Sequence, residues 1–428
     1  FLTFDYQGWW KACASCCDHD LALVGRCELL NDTLPAGETL RIAPMTFGFY
    51  CGDFDDLGNT ITDYIYQYKW DYTRDTYFNR TSLSIWRAAP LTDKVFQMIE
   101  AARYIGYERL WVDDFWFDAK GNWNGIFGDD WREINAYLRR QGMLFRLWMP
   151  PWHADRLSKV WVEHPEWMLD FHGNWYNWTI DMSQEDAYQW VLNMLCEKQK
   201  EFGTYDLRVD GDPCNLKNNR SFMTQGEGGW NCTLKQSEQF YRLYREFKER
   251  NPEAGLDGCS SGGHTLGIES GRYTDQQQIT DGMCMHMGGY YTTMLLPIDK
   301  HQGMPIARKG EGMDWQHHTD ADLNLFSAPL HGMQDPEDGV APEALEGYRK
   351  DLELFYFLRR QGVYGRYIKV FRPTMEHGDK TFLLQRMTRD LEKGLLMISS
   401  NQFNPLLGKT DRVFLKGLDP EKDYLIES

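Results

Sequence analysis

The chain has 428 residues, of which 42% are hydrophobic and 25% charged, the balance of an ordinary soluble globular protein. Its formal net charge of −17 argues against a nucleic-acid partner, because such affinity rests on clustered lysine and arginine. No apolar run approaches the roughly 18 residues of a membrane span, so we expect no membrane partner. At about 150 residues per domain the length predicts two or three domains.

Ten cysteines are too few for a disulfide scaffold in a chain of this length. Cys13, Cys16 and Cys17 lie close enough together to suggest a metal site. No second Cys/His pair with finger-like spacing follows, which favours free or locally paired thiols. The chain begins with Phe1, so we expect it to be cut from a longer one, and its localisation is left open.

The pattern of turns and apolar stretches changes twice along the chain. Residues 1–78 predict β-strands that end one domain, followed by a helical linker near 55–70. Residues 79–365 alternate between strand and helix, which predicts βαβ units and a parallel sheet. Residues 366–428 return to strands, as expected for a C-terminal β-domain truncated at its end.

Eight strand candidates occupy the central part. They are predicted at 83–86, 108–114, 143–149, 204–210, 255–259, 273–281, 292–296 and 322–328. The predicted fold class is therefore α/β, with a central (β/α)8 TIM barrel flanked by an N-terminal β-domain remnant and the start of a C-terminal β-sandwich. Residues 152–178 interrupt the barrel pattern with five tryptophans, as in a functional lid, an aglycone subsite or a subunit contact.

The fourth strand carries the most informative pattern. Its period of two places Tyr205, Leu207 and Val209 on one face, and Asp206, Arg208 and Asp210 on the other. A buried parallel strand is usually apolar throughout, so this charged face indicates a functional role, with a structural Arg208–Asp210 pair as the alternative. The following Gly-Asp-Pro ends the strand and leaves Asp210 where barrel enzymes carry catalytic groups.

Other polar residues follow the ends of neighbouring strands. They are Asp113 and Asp114 after strand two, Trp148 in strand three, Cys259 and Gly262 after strand five, and Asp281 after strand six. Carboxylates that converge on one mouth fit glycoside hydrolysis, in which one carboxylate stays ionised and another donates a proton. Arg208 would keep Asp210 charged, which favours Asp210 as the nucleophile and Asp281 as the acid.

Together and in this order, these segments resemble glycoside hydrolase family 36, the α-galactosidase family. The segments that carry the resemblance are Trp111–Phe117, Leu147–Pro151, His164–Leu169, Arg208–Asp210, Cys259–Gly263 and Leu415–Lys422. Arg208-Val-Asp210 takes the place of the family's Lys-Trp-Asp, and Asp281 follows Cys259 where the family's Thr-Ser-Asp-Asp places its acid/base.

The resemblance implies a retaining double displacement without metal or cofactor. Asp210 would be the nucleophile and Asp281 the acid/base. Asp113 and Asp114 would hold the 4- and 6-hydroxyls of the sugar, and Arg208 would replace a substrate-binding lysine. Trp148 belongs to the same substrate-binding set, with Cys259 and Gly262 lining the region near C2.

Departures from the family's pattern surround the catalytic pair. Arg208 is a planar fork in place of a point charge, and Gly258 stands where the family has Asn. Changes beside C2 suggest a 2-amino or 2-acetamido galactoside as substrate, with Asp212 or Glu269 as partner for an ammonium group.

Three functions remain open at this stage. The favoured one is a retaining exo-acting α-galactosidase-like hydrolase that acts on an oligosaccharide or glycoconjugate. The second is a transferase of the same family, in which a sugar hydroxyl replaces water as acceptor. The third is a non-catalytic carbohydrate-binding protein. A homo-oligomer is compatible with all three.

Overall fold

The computed structural model describes residues 1–7, 10–17, 20–27, 34–70, 80–85, 92–114, 116–126, 130–169, 177–211, 213, 232–280, 285–302, 330–333, 342–376, 381–400 and 412–427. Eight strands form its central sheet. In chain order, and hereafter strands one to eight, they are Ser82–Ile85, Arg109–Val112, Leu144–Met149, Asp206–Val209, Leu256–Gly258, Gln276–Gln278, His301–Gln302 and Leu330–Met333.

Neighbouring strands from one to seven pair in parallel, and strand eight pairs back in parallel with strand one. The return of the last strand to the first curls the sheet into a barrel. The longer helices of the barrel are Thr92–Ile105, Trp131–Arg140, Glu185–Phe202, Cys232–Arg250 and Pro342–Arg360. The last of these helices packs against the first, as in a closed ring. The predicted TIM barrel is confirmed.

The helix Trp131–Arg140 shows why the sequence folds this way locally. Asp130 caps its start, since the carboxylate accepts a hydrogen bond from the Glu133 N–H at 3.0 Å. Trp131, Ile134 and Leu138 recur at helical spacing and are buried against the barrel. The helix therefore has a defined start and a defined inner face.

Shorter helices lie between these elements and at the ends of the barrel. They are Lys159–Glu163, Ser260–Gly263, Ile268–Tyr273 and Met285–Thr292, with 3-10 turns at Pro165–Trp167 and Ile298–Lys300. Before the barrel, the helix Phe54–Tyr64 continues into a π-helical turn, Ile65–Lys69, at the predicted linker.

Small antiparallel sheets flank the barrel on both sides in sequence. On the N-terminal side, Leu2–Phe4 pairs with Met45–Phe47, and Trp10–Cys17 with Asp20–Cys27. On the C-terminal side the strands are Lys369–Phe371, Thr374–Met375, Thr381–Met387, Gly394–Ser400 and Val413–Phe414. These sheets agree with the predicted fold class. The domain boundaries 1–78, 79–365 and 366–428 stay predictions.

The helix before the barrel also anchors the C-terminal strands. Asp55 near its start is buried and pairs with Arg372 at 2.7 Å and with Lys416 at 2.7 Å. A single buried carboxylate thus connects the linker helix to two C-terminal segments.

Two predictions for the end of the barrel were wrong or lie outside the described residues. The range 292–296 is not strand seven, because it follows the helix Met285–Thr292, and Leu296 packs beside Ile61. The range 322–328 lies outside the described residues, and strand eight is found at Leu330–Met333. Strand seven, His301–Gln302, consists of two buried polar residues and gave no apolar signal.

The described part of the tryptophan-rich excursion contains a three-stranded antiparallel sheet of His153–Asp155, Met168–Leu169 and Asn177–Ile180. The role of the excursion as a lid, an aglycone subsite or a subunit contact stays a prediction. Trp152 and Trp167 are buried in the main hydrophobic core. These two side chains therefore serve packing within the chain, and neither an aglycone subsite nor a subunit contact is needed to explain them.

Candidate active site

The inside of the barrel is polar from bottom to top. Alternate residues of each strand face inward, while their neighbours, such as Leu110, Phe145 and Leu207, pack outward in the core under the helices. We call the lower inward layer the floor, and it comprises Ser82, Arg109, Arg146, Asp206, Asp257, Gln276 and Gln302. Six hydrogen bonds among these side chains connect strands one to seven.

The carboxyl ends of the strands form what we call the mouth. Its members are Asp113, Asp114, Trp148, Arg208, Asp210, Cys259 and Gly262, which are seven of the eight site residues predicted from sequence. The eighth, Asp281, lies outside the described residues, two positions past Ile279. The structure brings the seven to one end of the barrel, and their individual roles stay predictions.

Asp210 is held by hydrogen bonds to both carboxylate oxygens. Trp148 Nε1 donates to Oδ2 at 2.7 Å, and the Gly211 N–H donates to Oδ1 at 2.6 Å. Gly211 has a φ of +70°, a conformation that glycine adopts without steric cost. A Cβ at this position would lie 2.6 Å from His153 Cε1. The backbone turn thus fixes the Asp210 carboxylate and leaves room for His153.

Trp148 forms a wall of the mouth and is itself fixed from two sides. Its ring stacks on Phe117 with 6.0 Å between centroids and 8° between planes. Trp116 Nε1 donates to the Trp148 carbonyl at 2.7 Å. On the remaining side, Lys120 Nζ lies 5.7 Å from the centroid of the Trp148 ring. A tryptophan held this firmly can orient the carboxylate that it contacts.

Asp113 and Asp114 follow strand two directly. Asp113 is 5% exposed, and burial raises the pKa of its carboxyl to about 7, against the attraction of Arg208. Its Oδ1 accepts a hydrogen bond from the Asp114 N–H at 2.8 Å. A carboxyl with this pKa changes between donor and acceptor near neutral pH, and either form can bind a sugar hydroxyl.

Arg208 lies between the floor and the mouth. Its Nη1 donates to Asp257 Oδ2 at 2.5 Å, and its Cζ lies 4.2 Å from the centroid of the Trp111 ring. Burial alone would lower the pKa of Arg208, but the acidic groups around it, including Asp113 and Asp210, raise it overall. The short ion pair is thus with Asp257, while Asp210 contributes longer-range attraction. This geometry differs from the simple Arg208–Asp210 pair considered from sequence.

Cys259 and Gly262 lie on the loop after strand five. The Cys259 N–H donates to the Val209 carbonyl at 2.8 Å, and its buried thiol lies 3.5 Å from Gln278 Oε1. Gly262 is the third residue of the short helix Ser260–Gly263, and its φ of +80° is a conformation that glycine adopts without steric cost. The loop therefore places Cys259 against strands four and six.

Of the two carboxylates suggested as partners for an ammonium group, only one is described. Glu269 accepts a hydrogen bond from Tyr273 at 3.1 Å and lies 3.7 Å from Arg272. These contacts within its own helix weaken the case for Glu269. Asp212 lies outside the described residues.

Sequence reasoning missed three residues that shape the mouth. Asp257 binds Arg208, Trp111 lies against the same guanidinium, and His153 packs beside Gly211. Burial, aided by Lys120, lowers the pKa of His153 to about 3, so its imidazole is neutral. The alternation of strand five would have placed Asp257 inward, but its partner could not be read from local sequence.

The described residues show no group of three or more His, Cys, Asp or Glu side chains arranged to hold a metal ion. Cys13 and Cys16 are exposed and free. Within the same residues, no helix has both the length and the hydrophobicity to cross a membrane.

A β/α barrel with carboxylates at its mouth is compatible with the paired-carboxylate chemistry of glycoside hydrolases. The melibiase family matches residues 63–303, more than half of the chain. The chain belongs to the melibiase family, and its structural neighbours include α-galactosidases of glycoside hydrolase family 36. The family predicted from sequence is confirmed.

Individual relatives show the same similarity at lower coverage of their own length. An α-galactosidase of Escherichia coli is 26% identical over 196 residues, which cover 41% of this chain and 26% of the relative. The galactosidase domain of an α-galactosidase–sucrose kinase superposes with a TM-score of 0.78 at 16% identity, over 98% of this chain and 60% of that one.

A family 36 α-galactosidase of Geobacillus stearothermophilus, solved in complex with raffinose, has a TM-score of 0.70 at 14% identity. The superposition covers 88% of this chain and 54% of the Geobacillus chain. The chain thus spans only part of the length of the relatives that it matches.

Proposed function

We propose that the chain forms the catalytic part of a retaining, exo-acting glycosidase that releases terminal α-linked galactose or a 2-amino or 2-acetamido galactose. The observation that carries this proposal is the Asp210 carboxylate, held by Trp148 and Gly211 at the mouth of the barrel. Hydrogen bonds donated to carboxylate oxygens favour the ionised form, and they fix its direction before a sugar binds. Family membership supports the same reaction class.

The reaction would proceed in two displacements. In the first, an Asp210 oxygen forms a bond to the anomeric carbon while the bond to the leaving oxygen breaks, and Asp281 gives that oxygen its proton. In the second, water attacks the same carbon, Asp281 takes the proton of the water, and Asp210 is released. Arg208 favours the charged form of the nucleophile through Coulombic attraction.

Substrate recognition would use the remaining members of the mouth. Asp113 and Asp114 are proposed to bind the 4- and 6-hydroxyls, with Trp148 as an apolar wall and Cys259 and Gly262 near C2. An oligosaccharide substrate is supported by the raffinose complex of the Geobacillus relative. The C2 substituent is decided by the region around Cys259, where this chain departs from the family's pattern.

The test compares 4-nitrophenyl α-galactoside, α-N-acetylgalactosaminide and α-galactosaminide as substrates, with Asp210→Asn as the matched variant. We expect turnover of at least one substrate and a loss of at least about a thousandfold in the variant, because the amide cannot form the glycosyl ester. The amide oxygen can still accept from Trp148, so the unfolding curve should change little.

Two results would contradict the proposal. Unchanged turnover in Asp210→Asn would remove Asp210 as nucleophile. Binding of galactose without turnover of any substrate would favour the carbohydrate-binding alternative. Product analysis at high acceptor concentration separates hydrolysis from transfer, since a transferase yields longer oligosaccharides in place of free galactose.

A further inference from the structure

The Arg208 guanidinium is fixed by one carboxylate and one ring, and it has donors left over. Nη1 donates to Asp257 Oδ2, and the side chains of both residues are at most 3% exposed. The Trp111 ring covers the guanidinium face at 4.2 Å. Arg208 Nε is buried and finds no acceptor among the described residues. Arg146 Nε at the floor has no acceptor either, so the spare donor alone does not distinguish Arg208. What distinguishes Arg208 is that it makes a single ion pair and lies next to the mouth, where a ligand can complete its hydrogen bonds.

Asp257 is itself held in place by another member of the floor. Its Oδ2 also accepts from Arg146 Nη1 at 3.2 Å. Arg146 in turn donates to Gln302 at 2.9 Å and to Gln276 at 3.0 Å, on strands seven and six. The carboxylate that binds Arg208 is therefore connected to three further strands and has little freedom to follow the guanidinium upward.

The mouth offers Arg208 competing partners. Asp113 and Asp210 both attract its charge, in addition to Asp257. A guanidinium that turned toward Asp210 would pair with the nucleophile and reduce its capacity to attack. A planar fork must be oriented to bind a sugar, whereas the ammonium of a lysine can rotate its donors freely.

We propose that Asp257 is the positioning residue that holds Arg208 away from Asp210 and presents its unused donors to the sugar. The inference rests on the proposed glycosidase function and deepens it, since it assigns a residue on strand five a role in that reaction through Arg208. Asp257 does not touch the substrate in this proposal.

The chain offers a matched control in Asp206. Asp206 pairs with Arg109 at 3.1 Å, both side chains are buried, and its strand adjoins that of Asp257. Asp257→Asn and Asp206→Asn therefore each remove one buried negative charge from the floor. Asp257 shares its charge between Arg146 and Arg208, whereas Asp206 pairs with Arg109. Only Asp257→Asn removes the partner of Arg208.

We expect Asp257→Asn to lower kcat/KM for 4-nitrophenyl α-galactoside, per folded molecule, by about 100-fold, mainly through kcat, as for a misplaced active-site group. Asp206→Asn should lower it by less than about threefold, because the Asp206 carboxylate binds Arg109 and the Gly255 N–H, and neither is a member of the mouth. In an Arg208→Gln background, Asp257→Asn should cause no further loss. Two results would overturn the proposal. One is an equal loss of kcat/KM in Asp257→Asn and Asp206→Asn, and the other is a loss caused by Asp257→Asn in the Arg208→Gln background that is as large as in the wild type.

Crystal structures give a readout that does not depend on activity. In Asp257→Asn the Arg208 guanidinium should move toward Asp210, and an unmoved guanidinium contradicts the proposal. If the wild-type chain turns over no substrate, the proposed function is wrong. The position of Arg208 in the Asp257→Asn crystal structure would still show whether Asp257 holds Arg208 away from Asp210. Should Asp257→Asn not fold, Asp257→Glu keeps the charge and lengthens the side chain, so the same displacement and a smaller loss of kcat are expected.

Discussion

The arginines of the floor and of the mouth differ in how many side chains they bind. At the floor, Arg109 donates to Asp206, Ser82 and Gln276 at 2.7 to 3.1 Å. At the mouth, Arg208 makes one short ion pair, and its buried Nε, like that of Arg146 at the floor, has no acceptor among the described residues. Arg109 and Arg208 are both almost fully buried, so burial alone does not distinguish structural from functional charge.

The electrostatics of the carboxylates differ in the same direction. The floor surrounds its two aspartates with arginine donors, whereas burial at the mouth raises the pKa of Asp113 to about 7. Removing one partner of a buried ion pair is strongly destabilising, because the other charge is left without compensation. The comparison therefore predicts that breaking a pair of the floor lowers stability, and that neutralising Asp113 at the mouth raises it above neutral pH.

The largest expected effect comes from breaking the floor. Arg109→Met leaves the buried Asp206 carboxylate without its cation and should lower the free energy of unfolding by about 3–5 kcal/mol. Urea unfolding followed by tryptophan fluorescence measures this loss. Arg103→Met is the control, because Arg103 is exposed and pairs loosely with Glu100, so no measurable change is expected.

Activity should separate the two regions in the same variant. Per folded molecule, Arg109→Met should change kcat/KM by less than about twofold, since Arg109 contacts no member of the mouth. If Arg109→Met were as stable as the wild type, or if it folded but lost activity, the proposal that the floor serves stability and the mouth serves catalysis would be wrong.

A smaller effect of opposite sign is expected at Asp113. Because its pKa rises from 3.8 to about 7 on folding, the folded protein binds more protons than the unfolded chain between these values. The contribution of Asp113 to stability is therefore present below pH 4 and is lost as pH rises to 7. Asp113→Asn should match the wild type at pH 4 and exceed its free energy of unfolding by up to about 4 kcal/mol at pH 8.

Unfolding curves of both proteins across this pH range check the prediction. The wild type at pH 4 serves as the internal reference, since the folded forms of both proteins then carry a neutral side chain at position 113. A variant that is less stable than the wild type at pH 8 would show that the Asp113 carboxylate is paired as well as those of the floor. The same variant should lose activity, because Asp113 is proposed to bind a sugar hydroxyl.

The sequence predicted the mouth better than the floor for a physical reason. The mouth residues follow strands whose alternation is local, so the pattern of strand four placed Arg208 and Asp210 on one face. Arg109, Asp206 and Gln276 meet from strands two, four and six, and nothing in the neighbouring sequence joins them.

The failures of the fold prediction have a similar origin. Strand seven is a two-residue strand of His301 and Gln302, which hydrophobic patterning cannot detect. Trp152 and Trp167 lie in a segment without periodicity, and only the folded chain shows that they are core residues. Local pattern identifies elements with a regular apolar face, and it fails where tertiary contacts alone define the element.

The last prediction tests how rigid the mouth must be. Gly211 and Gly142 have nearly equal φ values, +70° and +75°, so alanine costs each about 1–2 kcal/mol of left-handed strain. A Cβ at Gly211 would meet His153 at 2.6 Å, whereas no described atom lies within 4 Å of a Cβ at Gly142.

Both alanine variants should lose stability, and Gly211→Ala should lose more because of the clash with His153. Per folded molecule, only Gly211→Ala should lose catalysis. In Gly211→Ala the clash displaces the N–H that binds Asp210, and kcat/KM for an α-galactoside should fall by about 100-fold. Gly142→Ala lies away from the mouth and should retain kcat/KM within about twofold. Equal kcat/KM values in the two variants would contradict this prediction. They would mean that the Asp210 carboxylate need not be held in place by the Gly211 N–H for catalysis.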